Sequence, residues 1–115
     1  MHKKIAIIGG GNLGTAIAEG LIKSNFSKAE DIVITKRNIA TLKALKDEGV
    51  YTTDNNSAAV RQSSLVILAV KPFQVKEVLA GIADDLSTDH IVVSVVTGVL
   101  INEMEEIIKA NIPVF

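Results

Sequence analysis

With 115 residues, 48% of them hydrophobic, and 12 basic against 13 acidic side chains, the chain can bury one core and carries no charge excess that would draw it to nucleic acid or an anionic membrane surface. The absence of cysteine removes disulfides and thiolate metal ligands and suits a cytoplasmic protein, so no metal site is expected. No stretch approaches the roughly 20 apolar residues of a membrane span, and the apolar run after Met1-His2-Lys3-Lys4 stops at Gly9, too early for an export signal.

The first element is an apolar strand from Ile5 that feeds directly into glycines spaced G-x-G-x-x-G at Gly9, Gly11 and Gly14. Each position has its own steric reason. Gly9 lets the chain turn out of the strand, Gly11 removes a side chain where backbone must approach a pyrophosphate, and Gly14 lets the next helix lie close. That helix starts near Asn12, runs to about Ser24-Asn25, and presents Leu13, Ile17 and Leu21 at helical spacing. Its free N–H groups and the positive end of its dipole favour an anion, so a phosphate is the implied ligand.

Asp31 to Thr35 is rich in β-branched residues and reads as the second strand. Asn38 to Glu48 follows as a helix with Ile39, Leu42 and Leu45 on one stripe, stopped by Gly49. Val50 to Thr53 forms a short third strand, and Asp54-Asn55-Asn56-Ser57 is turn and cap chemistry before a brief helix through Val60 and Gln62. Leu65 to Val70 is apolar at every position, the pattern of a strand buried on both faces of a parallel sheet. Pro72 opens a helix whose apolar stripe is Val75, Val78, Leu79 and Ile82. Ile91 to Val96 repeats the buried-strand pattern and is broken at Thr97-Gly98. Leu100, Met104, Ile107 and Ile108 are helically spaced, and Pro113-Val114-Phe115 looks like the opening of a further strand, as though the chain were cut there. The alternation predicts a single α/β domain over 1–115, a doubly wound parallel sheet with its ligand crevice at the carboxyl ends of the strands.

In dinucleotide-binding domains an acidic residue at the end of the second strand holds the adenosine ribose and selects NAD. Thr35-Lys36-Arg37 stands there instead. A hydroxyl, an ammonium and a guanidinium suit an adenosine 2′-phosphate, so NADP(H) is the expected cofactor. By themselves, Lys36 and Arg37 are also an ordinary solvated pair in a loop; the glycine turn tips the reading toward a phosphate site.

Three segments, Ile7-Ile8-Gly9-Gly10-Gly11-Asn12-Leu13-Gly14, Leu68-Ala69-Val70-Lys71-Pro72 and His90-Ile91-Val92-Val93-Ser94 running to Gly98-Val99, together resemble the amino-terminal half of pyrroline-5-carboxylate reductases. The resemblance spans essentially the whole chain, and Ala-Val-Lys-Pro is its most specific part. It implies NAD(P)H-dependent reduction of the C=N bond of 1-pyrroline-5-carboxylate to proline. By position it implies that the glycine loop, with Asn12 and Leu13, holds the pyrophosphate, that Thr35 and Arg37 hold the 2′-phosphate, and that Asn56 meets the adenosine. Ala69, Val70, Lys71 and Pro72 then line the nicotinamide side, where Val96 and Thr97, after Val95, give a bulkier wall than the small residues frequent in such proteins. It further implies a carboxyl-terminal helical domain, absent from this sequence, that dimerises and supplies most contacts to the imino acid.

Other reductases with the same nucleotide domain, such as deazaflavin-linked NADP reductases or β-hydroxyacid dehydrogenases, and a non-catalytic NADP-binding module stay open as alternatives. Lys71 is the one charged residue abutting the Leu65–Val70 strand, and it is either a site residue or a surface lysine at a strand exit. Ser94 and Thr97 either meet the nicotinamide carboxamide or satisfy backbone groups at a turn. His2 and His90 lack a metal-ligand partner and read as surface residues, and the pairs Asp84-Asp85 and Glu105-Glu106 read as solvated charge. No catalytic acid is identified.

Overall fold

The computed structural model describes residues 4–96, 98, 101–108 and 112–115. Five parallel strands lie in the order β3-β2-β1-β4-β5, namely β1 (Ile5–Ile8), β2 (Ile32–Thr35), β3 (Tyr51–Thr53), β4 (Leu65–Leu68) and β5 (Ile91–Ser94). The helices are α1 (Asn12–Lys23), α2 (Lys43–Glu48), α3 (Asn56–Arg61), α4 (Val75–Ile82) and α5 (Ile101–Ile107). β1 is central, pairing Ile5 with Ile32 on one side and with Leu65 on the other. The order reverses between β1 and β4, and this is the switch point at which a doubly wound sheet opens a crevice.

The near-continuous apolar strands divide their side chains between two cores by simple alternation. Ala6, Ile8, Val33, Val66 and Leu68 face one core, shared with Val60 of α3, Leu79 and Ile82 of α4 and Met104 of α5. Ile5, Ile7, Ile32, Ile34 and Ile67 face the other, shared with Ala18 of α1 and Leu45 of α2. The doubly wound α/β sheet expected from the sequence is present.

Several boundaries differ from the sequence expectation. β4 ends at Leu68 and β5 at Ser94, so Ala69-Val70 and Val95-Val96 leave the sheet to wall a cavity. β5 is not buried throughout: Val92, which faces the core shared with α3, α4 and α5, is fully covered, while Ile91, which by alternation points to the other face, is 43% exposed. The opening strand expected at Pro113–Phe115 does run beside β5, with Val92 N–H donating to the Pro113 carbonyl at 2.9 Å and Ser94 N–H to that of Phe115 at 2.7 Å. The helix expected over 38–48 is split into a 3-10 turn, Ile39–Leu42, and α2. The break at Thr97 and the position of Leu100 lie outside the described residues, whereas Gly98 adopts φ +83°, as a breaker would.

His90 corrects the surface assignment. It is buried, its Nδ1 accepting the Ser87 N–H at 2.9 Å and its Nε2 donating to the Val60 carbonyl, also at 2.9 Å. The ring joins the end of α3 to the start of β5. His90→Leu deletes both bonds; the Val60 carbonyl keeps the Ser63 N–H at 3.1 Å, but the Ser87 N–H loses its acceptor, which should cost about 1–3 kcal/mol, read as a fall in Tm of roughly 4–8 °C per kcal/mol in calorimetry. Asp85 likewise is not free solvated charge: it meets Arg61 at 3.2 Å, its side chain 16% exposed, tying α4's exit to α3. Asp84, Glu105 and Glu106 are exposed as expected; His2 lies outside the described residues.

Candidate functional site

At the switch point the carboxyl ends of β1, β2, β4 and β5 surround a cavity of about 1020 Å³, at the upper end of the range for small-molecule and cofactor sites. Its near edge is the glycine turn. Gly9 has φ +113°, and a Cβ there would meet the Ala69 carbonyl oxygen at 2.8 Å. A Cβ on Gly14 would overlap the Gly9 carbonyl oxygen, so α1 packs on the turn itself as much as on the sheet. Gly11 is different: nothing lies within 4 Å of a Cβ built on it, and its backbone is ordinary, φ −77° and ψ −164°. The protein's own packing gives no reason for glycine at that position. The cavity does, because Gly11 lines it.

The same turn carries a glycine whose need the spacing motif does not state. A Cβ on Gly10 would meet the Leu42 side chain at 2.9 Å and the Thr35 carbonyl oxygen at 3.1 Å. Gly10 is therefore required by the element that follows β2. α1 has no side-chain cap at its start, and Thr15 N–H makes the first backbone bond, to the Gly11 carbonyl at 3.0 Å. The first N–H groups of the helix are left facing an anion's position. Asn12 and Leu13 both line the cavity, and Leu13, half exposed, belongs to its mouth and not to the packed stripe of α1.

Thr35, Lys36 and Arg37 are brought to the cavity, but Thr35 is only 2% exposed. Its Oγ1 accepts the Gly9 N–H at 3.3 Å, so the hydroxyl expected to meet a 2′-phosphate is holding the glycine turn. Lys36 is half-buried with its backbone N–H bonded to the Thr53 carbonyl, and Arg37 is exposed. Neither side chain has an ion-pair partner among the described residues. Two cations thus stand at the end of β2, and the nearest carboxylate in the cavity wall by strand order is Asp54, after the neighbouring β3.

On the far side, Asn56 lines the cavity at the first turn of α3, whose cap is the Asn55 side chain accepting the Ala58 N–H at 3.0 Å. Ala69, Val70, Lys71 and Pro72 form the wall after β4. Gln74 fixes that exit: its Oε1 accepts the Lys71 N–H at 3.1 Å, while the Lys71 carbonyl accepts the Gln74 N–H at 2.8 Å. Val95 and Val96 close the β5 side, and Ser94 does not reach the cavity, its hydroxyl accepting the Val96 N–H at 3.2 Å. Thr97 lies outside the described residues. The sequence reading missed the α4 wall, where Glu77, Val78 and Gly81 face the cavity. The apolar stripe of α4 signalled packing only, and nothing in its periodicity separates a residue facing a core from one facing a cavity.

The arrangement can seat an extended, anionic, two-ended ligand: a diphosphate at the turn, a further phosphate at Lys36-Arg37 and flat groups toward α4 and toward Val70 and Val96. No group of three or more histidine, cysteine, aspartate or glutamate side chains able to hold a metal occurs among the described residues.

Comparison with known proteins agrees. The chain is 39% identical over 110 residues to pyrroline-5-carboxylate reductase 1 of Dictyostelium discoideum, covering 96% of this chain and 20% of that one. It is 38% identical over 114 residues to pyrroline-5-carboxylate reductase of Corynebacterium melassecola, covering 96% of this chain and 42% of that one. The solved structure of a pyrroline-5-carboxylate reductase from Coxiella burnetii superposes with a TM-score of 0.86 at 34% identity, over 94% of this chain and 40% of that one. The chain thus spans from one fifth to about two fifths of the length of these relatives. With residues 4–98 matching its model, the chain belongs to the family described as NADP oxidoreductase, coenzyme F420-dependent.

Proposed function

We propose that this chain is the cofactor-binding part of an NADPH-dependent reductase that converts 1-pyrroline-5-carboxylate to proline. The observation that carries the reading is Gly11: its open surroundings at the uncapped start of α1 are a cradle that a Cβ would fill, and they fit a pyrophosphate. Gly9 to Leu13 would hold the pyrophosphate, Lys36 and Arg37 the adenosine 2′-phosphate, Asn56 the adenosine, and Ala69 to Pro72 with Val96 the nicotinamide. The bound nicotinamide supplies a hydride. The chain's own residues bind and orient: the α1 N–H groups neutralise phosphate charge, and Val70, Val95 and Val96 keep one side of the site apolar. Thr35 holds Gly9 in its turn by accepting its N–H, which leaves the hydroxyl hydrogen to donate to the 2′-phosphate.

The relatives named as pyrroline-5-carboxylate reductases support the imino acid as substrate. The family's description keeps a second reading, a coenzyme F420-linked NADP reductase. Substrate separates the two in a protein that spans the relatives' full length: pyrroline-5-carboxylate oxidises NADPH only in the first. A cytoplasmic location fits the cysteine-free sequence, and no helix among the described residues is long and apolar enough to cross a membrane. We place assembly into a homo-oligomer and the grip on the imino acid in the part of the relatives that this chain does not span.

Titration with both nucleotides tests the cofactor assignment. NADPH should bind roughly 10- to 100-fold more tightly than NADH, the equivalent of one or two charge-assisted contacts. Arg37→Ala should remove most of that difference and leave NADH nearly untouched. Equal affinities in the unaltered chain would refute the preference.

A further inference from the structure

α4 carries a glycine that packing does not require. Gly81 lies near the end of the helix, where glycine is the poorest former after proline, and nothing lies within 4 Å of a Cβ built on it. Its backbone angles are not among the positive-φ glycines of the chain. Gly20 in α1 has similarly open surroundings, but it does not line the cavity; Gly81 does, beside Val78 and Glu77. Among the described residues, Gly81 shares with Gly11 the pair of properties that marks the pyrophosphate cradle: open space at the missing side chain, and that space belonging to the cavity.

The position of Gly81 identifies what it makes room for. Lys36 and Arg37, at the end of β2, fix the phosphorylated ribose on the β2–β3 side, while Val95 and Val96 stand on the opposite, β5 side. In the wall formed by α3 and α4, the Ser57 hydroxyl, in the first turn of α3 beside Asn56, donates to the Gly81 carbonyl at 3.4 Å, which sets Gly81 against the helix start that follows β3, on the same side as Lys36 and Arg37. At Gly81 this wall presents backbone without a side chain, next to the Val78 side chain. Such a surface, edged by an apolar side chain, suits the face of a heteroaromatic ring.

We propose that Gly81 is a further binding residue of the site, leaving α4 without a side chain where the purine base of the dinucleotide lies against it; this rests on the dinucleotide reading above. The base is common to NADPH and NADH, so filling the space penalises both alike, whereas Arg37 acts on the 2′-phosphate alone.

The experiment is titration of the chain and of Gly81→Leu and Gly81→Ala with NADPH and NADH, with Tm measured for each variant. Gly81→Leu should keep or raise Tm and weaken both nucleotides by the same factor, at least about 10-fold. Gly81→Ala should also keep Tm and weaken both by a smaller equal factor; it carries the test if the leucine variant does not fold. The fluorescent 1,N6-etheno analogue of NADP, with its larger base, should lose more affinity than NADPH in either variant. Affinities within twofold of the unaltered chain in the folded variants, or a loss confined to NADPH, would overturn the proposal while leaving the dinucleotide reading intact. Failure of the unaltered chain to bind either nucleotide would remove that reading, and the base seat with it.

Discussion

The 115-residue chain is expected to bind NADPH and to leave pyrroline-5-carboxylate essentially unreduced. Reacting atoms must be held about 3–3.5 Å apart with their orbitals aligned, and such orientation is worth roughly 7–11 kcal/mol of a barrier. The cavity described above offers one wall of a reaction site. Of its charged residues Lys71 stands in the nicotinamide wall, exposed on the exit loop after β4, with Glu77 lining the cavity in the first turn of α4. One flexible ammonium can attract a carboxylate, but it cannot fix a small ring in two further dimensions. The measurement is NADPH consumption with saturating substrate, the isolated chain beside a full-length relative such as the Corynebacterium melassecola reductase. Turnover by the isolated chain should be more than about 10³-fold slower. A matching kcat would place the catalytic groups in this domain, with Lys71 the first to be substituted.

Gly11→Val should abolish nucleotide binding in a folded domain. The backbone at Gly11 is in a region open to any residue, and no protein atom lies within 4 Å of the new Cβ, so folding loses only the preference for glycine over valine at the N-cap of α1, about 1 kcal/mol. The isopropyl group would occupy the approach to the first N–H groups of α1, and the loss in affinity should exceed about 100-fold, or about 2.7 kcal/mol. Gly14→Val is the contrasting control. Its Cβ would overlap the Gly9 carbonyl oxygen, so that variant should lose structure as well as binding. Circular dichroism with NADPH titration separates the two outcomes. A Gly11→Val domain that still bound NADPH would reduce the motif to a tight turn.

What was legible in the letters was what depends on local spacing. Strand-helix alternation, the doubly wound sheet and the glycine turn follow from residues adjacent in sequence. Gly10 was not legible, because the side chain that requires it, Leu42, comes from another element. His90 was misjudged for the same reason: its partner is a carbonyl on α3. The apolar runs Leu65–Val70 and Ile91–Val96 were read as strands to their ends because a cavity wall and a core call for the same letters, and only the fold divides them. Thr35 is expected from the sequence to meet a 2′-phosphate; that its hydroxyl also accepts the Gly9 N–H was not legible, because Gly9 comes from another strand's exit.

The bond between Thr35 and Gly9, the contact of Gly10 with Leu42 and the seating of Gly14 on Gly9 hold the phosphate turn from several directions at once. Such a turn is shaped before any ligand arrives. A loop that has to be ordered by its nucleotide surrenders part of the interaction energy to lost conformational freedom, whereas this one has surrendered that freedom during folding. Affinity at this turn is therefore governed by how well charge and shape match, and substitutions that loosen the turn from behind, at Leu42, would weaken nucleotide binding without touching a nucleotide.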